Sequence, residues 1–566
     1  MAKTTDPRST ADAYLELLSN RGVEYLFGNA GTDFGPIIDA YARRMDAGEA
    51  VPTPITVTHE ITAMAMAHGY GMVSGRTPAV MVHTIAGTAN SIGGLINANR
   101  AQVPILFTAG RTPISENDAL GARNMHIHWS QESFDQGAMA REWVKWDYEL
   151  RANADLAGVV DRALAIAETE PKGPVYLTLP REVLAAPHSG EPMDEPPRMN
   201  PGQAMAGPAV IEAAIAALIS AERPLIITRS AGRDTDAVAA LTGLAEVLGA
   251  PVFDPYPTHT NMDFSHPLHL VSSPEAYLAD ADVVVVVECD VPWIPSRVQP
   301  SKSSTIIGVG TDPLHGRYAI RGFRVDLNLP GTIALNLSAL AAGLKDRLDQ
   351  HAVARRLTAW TEKSQHVRDH ARAQAEAGAA GSQLEKSWFS KCLDEVLPDD
   401  AIVVDELGCD VSQLQLGESR SFFGVSQAGV LGWCLGAGLG AKLAAPQRPV
   451  VCVMGDGSYQ LGVPTTAHWV SRKYDLPVLN LIWNNAKWGT VEGSTRMVYP
   501  EGWAANTDSF AFSDLRPSLD YELICQAAGG FGERVEDPAD LPGALQRGFK
   551  AVSEGRQALL NLVAYE

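Results

Sequence analysis

Short, wholly apolar runs recur along this chain, separated by stretches with helical periodicity, and that alternation leaves few folds open. Residues 283–287 are five consecutive valines. The runs 23–27, 79–83, 104–108 and 175–179 form one set. A second set is 225–228, 252–253, 283–287 and 305–309, and a third is 402–405, 450–454, 478–483 and 559–563. A strand that is apolar on both faces must be buried on both, and helices between such strands supply the cover. The pattern therefore predicts α/β architecture with doubly wound parallel sheets. Ala11, Tyr14, Leu15 and Leu18 show the helical spacing at the start of the chain. Three domains are predicted, over 1–185, 207–349 and 386–566. Residues 186–206, rich in Pro, Gly and Met, read as a linker, and the polar, Ala- and Arg-rich stretch 350–385 reads as a helical linker. A chain of 566 residues is the right size for three such domains.

Composition removes several function classes. Lys and Arg number 45 against 66 Asp and Glu, a net charge of −21. That field disfavours nucleic acid or an anionic membrane as the main partner and leaves a small-molecule substrate. The longest aliphatic run is far too short to span a bilayer, and residues 1–10 hold no apolar secretory core. The six cysteines are scattered without a CxxC pair, which predicts reduced, mostly buried thiols in a cytoplasmic protein.

The strongest local motif follows the run 450–454. That strand ends in Gly455-Asp456-Gly457-Ser458, and a helix and a second strand then end in Asn484-Asn485. In open α/β sheets ligands bind beyond the carboxyl ends of strands. Asp and Asn oxygens suit Mg²⁺, and glycine backbone lets a phosphate approach closely. A lone Gly-Asp-Gly is most often only a turn; the following Asn-Asn on a second strand makes the pattern specific. Glu60 stands at a strand-to-helix junction before an Ala-rich helix. By composition alone it is a first-turn glutamate favoured by the helix dipole. Gly436-Ala437-Gly438-Leu439-Gly440 looks like a dinucleotide fingerprint but lacks a preceding strand and a following acidic residue, so its glycines are read as close helix packing.

With these motifs in place, the whole chain resembles the thiamine diphosphate-dependent decarboxylase and acetolactate synthase superfamily. The resemblance implies an N-terminal pyrimidine-binding domain, a central domain and a C-terminal diphosphate-binding domain. It implies that Asp456 and Asn485 bind Mg²⁺ through side chains and Lys487 through its carbonyl, with Gly457 and Ser458 on the diphosphate. Glu60 would hydrogen-bond N1′ of the aminopyrimidine, favouring the tautomer whose 4′ nitrogen takes the proton from C2. In Gln427-Ala428-Gly429-Val430-Leu431, the Gly429 carbonyl would accept from the 4′-amino group and Leu431 would prop the bent cofactor. Leu435-Gly436 departs from the Leu-Pro often found in the family. The family also implies a homodimer or homotetramer with sites at the subunit interface.

Residues 21–180 resemble benzoylformate decarboxylase through Phe27-Gly28-Asn29-Ala30-Gly31-Thr32 and His83-Thr84-Ile85-Ala86-Gly87-Thr88-Ala89-Asn90. On that resemblance His83 handles protons and Thr32 contacts the substrate carboxylate; a histidine titrates near neutrality and suits the task. Trp129-Ser130-Gln131-Glu132 is similar to the acetolactate synthase pattern, which places Gln131 at the active centre. His126 and His128 share that loop and are given no role. The predicted activity is non-oxidative decarboxylation of a 2-oxo acid to an aldehyde, with carboligation as a side reaction. An acetolactate-synthase-like carboligase or a 2-hydroxyacyl-CoA lyase is the alternative within the family. A nucleotide-binding oxidoreductase, or a thiamine fold without catalysis, is the alternative outside it. The cofactors implied are thiamine diphosphate and Mg²⁺; FAD in the central domain has no support in the residues.

Overall fold

The computed structural model describes residues 8–117, 119–188 and 202–565. Its backbone forms three sheets, each of six parallel strands. The first contains β1 (Tyr25–Asn29), β2 (Thr53–Thr56), β3 (Ala79–Val82), β4 (Leu106–Arg111), β5 (Asp147–Glu149) and β6 (Val175–Pro180), in the order β2-β1-β3-β4-β6-β5. The second contains β7 (Pro224–Thr228), β8 (Val252–Phe253), β9 (His269–Leu270), β10 (Val283–Val287), β11 (Thr305–Gly310) and β12 (Leu327–Pro330), ordered β12-β11-β10-β7-β8-β9. The third contains β13 (Ile402–Glu406), β14 (Phe422–Gly424), β15 (Val450–Gly455), β16 (Leu479–Asn484), β17 (Phe531–Val535) and β18 (Ala558–Val563), ordered β14-β13-β15-β16-β18-β17.

The valines of β10 show why these runs become interior strands. Val283, Val285 and Val287 join one apolar core with Ile226 and Ile307; Val284 and Val286 join a second core with Leu225, Ile227 and Ile306. Each side chain is buried, on one face or the other, and contributes about 1.5–3 kcal/mol. Edge strands differ. They pair on one side only and tolerate polar residues, as in β2 and β5. The predicted runs became the twelve interior strands. Of the edges, β5, β9, β12, β14 and β17 were not foreseen, and β2 was foreseen only as a short strand ahead of Glu60.

Four helices matter below: α1 (Glu60–Ser74), α2 (Thr84–Arg100), α3 (Gln350–Ala377) and α4 (Cys434–Ala444). The helix α3 fills most of the predicted helical linker and stops at Gly378. Most of the other predicted linker, residues 189–201, lies outside the described residues. Packing divides the chain into two compact units. The first holds the first sheet together with 426–447 and 458–476; the second holds the second and third sheets. The helix α4 therefore packs with the first sheet's unit, against α1.

All six cysteines are buried and none forms a disulfide. No described helix is long and apolar enough to cross a membrane.

The first and third sheets share one strand order, with the chain turning from one direction to the other between β1 and β3, and between β13 and β15. Such switch points are where loops part and leave a crevice.

Candidate active site

At the first switch point β1 and β3 run side by side, with Asn29 paired to Val82. The chain leaves β1 through Gly31 into a short 3-10 turn, Thr32–Phe34, and leaves β3 directly into His83, the cap of α2. This geometry sets Asp33 Oδ1 2.5 Å from His83 Nδ1. On the other side of the ring, Gln131 Nε2 lies 3.0 Å from His83 Nε2. The Asp33 carboxylate holds the His83 imidazole above the usual histidine range, against an opposing effect of burial. Two glycines make room for the pair. A Cβ on Gly31 would stand 2.2 Å from His83 Cγ and Nδ1, and one on Gly110 would stand 1.6 Å from Asp33 Oδ2. Thr84, immediately after His83, adopts φ +39°, a left-handed conformation that a β-branched residue takes only under constraint. Thr32 opens the 3-10 turn and is exposed.

Glu60 is the first residue of α1, where the helix dipole favours a carboxylate; His59 caps the helix by accepting from the Ile61 amide at 3.2 Å. Glu60 is buried, yet both of its oxygens are held by carboxamides. Asn29 Nδ2 donates to Oε1 at 2.9 Å and Asn90 Nδ2 donates to Oε2 at 3.1 Å. A third asparagine, Asn97, donates through Nδ2 to the Val430 carbonyl at 2.8 Å and accepts from Ser426 Oγ at 3.0 Å. His83, Asn90 and Asn97 recur every seven residues, so α2 presents them on one face. That polar heptad was the readable signal for two residues that were not singled out.

The segment carrying Gly429 and Leu431 is thereby fixed beside α2. Gly429 has φ +62°, and Leu431 is half-buried. Behind it, α4 crosses α1 at backbone distance. A Cβ on Gly436 would stand 2.6 Å from Ala65 Cβ, one on Gly440 2.0 Å from Met66 O, and one on Gly69 2.0 Å from Ala437 O. The glycines of 436–440 are thus packing glycines, as read from the sequence, and Gly436 replaces the family's proline where no side chain fits. Trp433 Nε1 donates to His68 Nδ1 at 3.1 Å across the same contact. Glu60, His83, Gln131, Gly429 and Leu431 all belong to the first unit.

The loop that carries Gln131 is anchored by its neighbour. Glu132 accepts from Arg111 at 2.9 Å, from Thr112 at 2.6 Å and from Arg123. His128 is buried and its Nδ1 accepts from the Asn124 amide at 3.2 Å, a loop-fixing role; His126 is exposed.

In the second unit, β15 ends at Gly455 and Asp456 starts the helix Asp456–Leu461. The adjacent β16 ends at Asn484. The two asparagines divide their work. Asn484 is fully buried and donates to Asn561 Oδ1 and Ser518 Oγ, each at 2.9 Å, which ties β16 to its surroundings. Asn485 is only half-buried, and its Oδ1 accepts from the Lys487 amide at 3.3 Å. Between them and Lys487 the backbone turns through Ala486 at φ +54°. Asp456 Oδ1 accepts from the Gly457 amide at 2.9 Å, whereas its Oδ2 is buried without a hydrogen-bond partner among the described residues. Burial pushes the Asp456 carboxyl up to about 6. A buried carboxylate oxygen left unpaired fits a cation, which would supply the missing partner. The described residues contain no cluster of three or more His, Cys, Asp or Glu, so a metal here relies on the mixed set of Asp456, Asn485 and the Lys487 carbonyl. Gly457 packs under Trp488: a Cβ there would stand 2.3 Å from the indole. Ser458, assigned to the first unit, is buried, and its carbonyl accepts from the Gly462 amide at 3.0 Å.

Comparison with known proteins agrees with this layout. The thiamine pyrophosphate enzyme N-terminal TPP-binding domain matches residues 8–139, the central domain 211–340 and the C-terminal TPP-binding domain 408–561. A sulfoacetaldehyde acetyltransferase of Alcaligenes xylosoxydans xylosoxydans is 28% identical, covering 98% of this chain and 92% of its own. A benzoylformate decarboxylase of Pseudomonas aeruginosa is 27% identical, covering 96% and 97%. Among solved structures, the thiamine diphosphate-dependent 4-hydroxybenzoylformate decarboxylase of Rhodococcus jostii RHA1 superposes with a TM-score of 0.79 at 24% identity over 98% and 99% of the two chains, a likeness of fold. With all three domain models matched in order along three parallel α/β sheets, the chain belongs to the thiamine pyrophosphate enzyme family.

Proposed function

We propose that this enzyme decarboxylates a 2-oxo acid to an aldehyde and CO₂, with carboligation as a side reaction. The observation that carries the reading is the His83 imidazole, held between Asp33 and Gln131 in the same unit as Glu60. Thiamine diphosphate, when bound, supplies the carbon nucleophile that adds to the oxo group and the sink for the electron pair left when CO₂ departs. Everything else falls to the chain. Glu60, fixed by Asn29 and Asn90, would exchange a proton with N1′ of the aminopyrimidine, with the Gly429 carbonyl on the 4′-amino group and Leu431 beneath the rings. Asp456, Asn485 and the Lys487 carbonyl would hold Mg²⁺, with Gly457 and Ser458 against the diphosphate. Conversion of a 2-oxo carboxylate into aldehyde and CO₂ consumes one proton per turnover. His83 would deliver it, a role worth about 10²–10⁴-fold in rate. Thr32, exposed at the mouth of the turn, would meet the substrate carboxylate. A homodimer or homotetramer is the proposed assembly.

The alternative, a synthase-like carboligase or acyl-CoA lyase, draws on Gln131, whose amide contacts the same imidazole. The two readings separate in one experiment. Wild type, His83→Ala and Gln131→Ala are given a panel of aliphatic and aromatic 2-oxo acids with thiamine diphosphate and Mg²⁺, and aldehyde, CO₂ and hydroxyketone are measured. The decarboxylase reading expects aldehyde from the wild type, loss of turnover on the scale above in His83→Ala, and a higher ratio of ligation to decarboxylation when aldehyde is added. Near-normal turnover in His83→Ala beside a crippled Gln131→Ala would sink it in favour of the carboligase.

A further inference from the structure

Asp33 was not among the residues that the sequence singled out, and the first switch point is built around it. We propose that Asp33 is a positioning residue that fixes the tautomer of His83 and makes its imidazole a stronger base, with the Gln131 amide matching whichever protonation state results. The inference rests on the proton-carrying role given to His83 above.

Three observations support it. First, Asp33 spends its carboxylate on His83 rather than on the backbone. It sits in the first turn of the 3-10 segment, where a structural aspartate would accept from an amide; instead Oδ1 meets His83 Nδ1 at 2.5 Å, and Oδ2 is buried without a partner among the described residues. Second, the chain keeps two positions bare for the pair. Gly31 lies against the imidazole and Gly110 against Oδ2, at distances no side chain permits, and Thr84 bears a left-handed backbone immediately after the histidine. Third, with Nδ1–H committed to Asp33, Nε2 is the nitrogen that takes up and releases the proton, and it faces Gln131. A neutral ring presents Nε2 as an acceptor, matched by the Gln131 NH₂. A charged ring presents N–H, matched once the amide turns about its terminal bond. The Gln131 Oε1 that would then accept is buried and has no partner among the described residues. Glu132, gripped by Arg111, Thr112 and Arg123, holds the loop so that this contact persists.

The other charged and titratable groups within reach of the pair come from three further elements. Glu60 on α1 also favours the charged imidazole; His128 and Arg181 act on the pair from the loop helix Ile127–Ser130 and the helix Arg181–Ala185. Asp33 is the group in direct contact.

The test uses the full chain labelled with ¹³C and ¹⁵N at histidine, without cofactor, so that it does not depend on turnover. His83 is assigned by the signal lost in His83→Gln. In the wild type its ring should be the Nδ1–H tautomer and should titrate above 6.5. In Asp33→Asn the midpoint should fall by about one pH unit and the tautomer preference should weaken. With thiamine diphosphate and Mg²⁺ present, Asp33→Asn should bind the cofactor as the wild type does. Its kcat should fall about 10²-fold, and the pH at which the rate is half-maximal should shift with the midpoint. Should Asp33→Asn not fold, Gly110→Ala, which pushes Oδ2 aside, should move the midpoint the same way. A folded variant whose His83 titration and tautomer match the wild type overturns the proposal, even if activity is lost, because Asp33 would then be merely structural. If the shift is seen but the wild type turns over no 2-oxo acid, the coupling stands and the decarboxylase reading fails.

Discussion

The contact between α1 and α4 makes an unusually sharp prediction, because helix propensity and packing demand opposite signs. Alanine is the better helix former, so Gly→Ala inside a helix ordinarily stabilises by up to about 1 kcal/mol. At Gly440 the new methyl would stand 2.0 Å from Met66 O and 2.7 Å from Tyr70 N. Ordinary contact begins near 3.4 Å, and both neighbours are backbone atoms that no rotamer change can move aside, so the helices must part by about 1.4 Å. Overpacking of this kind costs about 1–3 kcal/mol, and a rigid backbone neighbour places Gly440→Ala at the upper end. For a unit of this size that lowers Tm by about 2–4 °C per kcal/mol. Gly158, in the helix Leu156–Glu168 of the same unit, has no atom within 4 Å of the place a Cβ would take, so Gly158→Ala should leave Tm unchanged or raise it. Because α1 carries Glu60 and α4 follows Leu431 directly, the displacement also reaches the site. A shift of about 1 Å can cost 10²-fold in rate. Thermal melts of the two variants, with the thiamine diphosphate-dependent turnover of each, are the test. A Gly440→Ala protein as stable and as active as Gly158→Ala would refute it.

Burial lowers the pKa of His68 to about 3, so the folded protein excludes a proton that the unfolded chain binds below 6.5; stability should fall by about 1.4 kcal/mol per pH unit between 6.5 and 3, and not above, with His68→Gln flattening that slope in urea titrations. Glu60→Gln should destabilise the cofactor-free protein by about 1–3 kcal/mol, because Asn29 and Asn90 both donate to Glu60 and one must then face the new NH₂; Asn90→Asp added to Glu60→Gln should recover part of the loss. In Glu132→Gln the loop 123–133 should become the first site of limited proteolysis, since Arg123 loses its carboxylate and Arg111 keeps only Glu149. Asp456→Ala should lose Mg²⁺-dependent binding of thiamine diphosphate in calorimetry, while Asn484→Ala, a structural position, should instead lower Tm.

Legibility in the sequence followed burial on two faces. The interior strands announced themselves because both faces of each run are apolar, as the two cores around β10 show. The edges did not, because β5 (Asp-Tyr-Glu) and β17 (Phe-Gly-Glu-Arg-Val) need only one paired side and carry charge on the other. The site divides in the same way. Asp456, Asn485, Glu60 and His83 were singled out as candidates from motif and resemblance. Asp33, Asn29, Asn90 and Glu132 were not, because each acts on another side chain brought near by the sheet: Asp33 and His83 are 50 residues apart and meet only when β1 pairs with β3. The heptad of His83, Asn90 and Asn97 was the one local trace of that network.

The second sheet shows what distinguishes a crevice kept for a ligand from one filled by the fold. Its strand order runs outward in both directions from neighbouring β7 and β10, the arrangement of dinucleotide-binding sheets. At that switch point, however, Arg229 pairs with Asp290 at 3.0 Å, Tyr318 donates to the same carboxylate at 2.7 Å, and Ser230 Oγ donates to the Glu288 carbonyl at 2.9 Å. The neighbouring cavity, lined by Glu288, Trp293 and Arg321, measures about 10 Å³, room for one water at most. A dinucleotide entering here would have to part an ion pair that is almost wholly buried, and breaking such a pair costs about 3–5 kcal/mol. In the first and third sheets Asp33 Oδ2 beyond β1 and Asp456 Oδ2 beyond β15 are buried and left unpaired by the described chain. Such an oxygen is unfavourable unless something supplies a partner, yet it does not mark a ligand crevice by itself, because Asp254 Oδ1 beyond β8 and Thr311 Oγ1 beyond β11 are unpaired in the second sheet too; what fills that sheet's switch point is the buried Arg229–Asp290 pair.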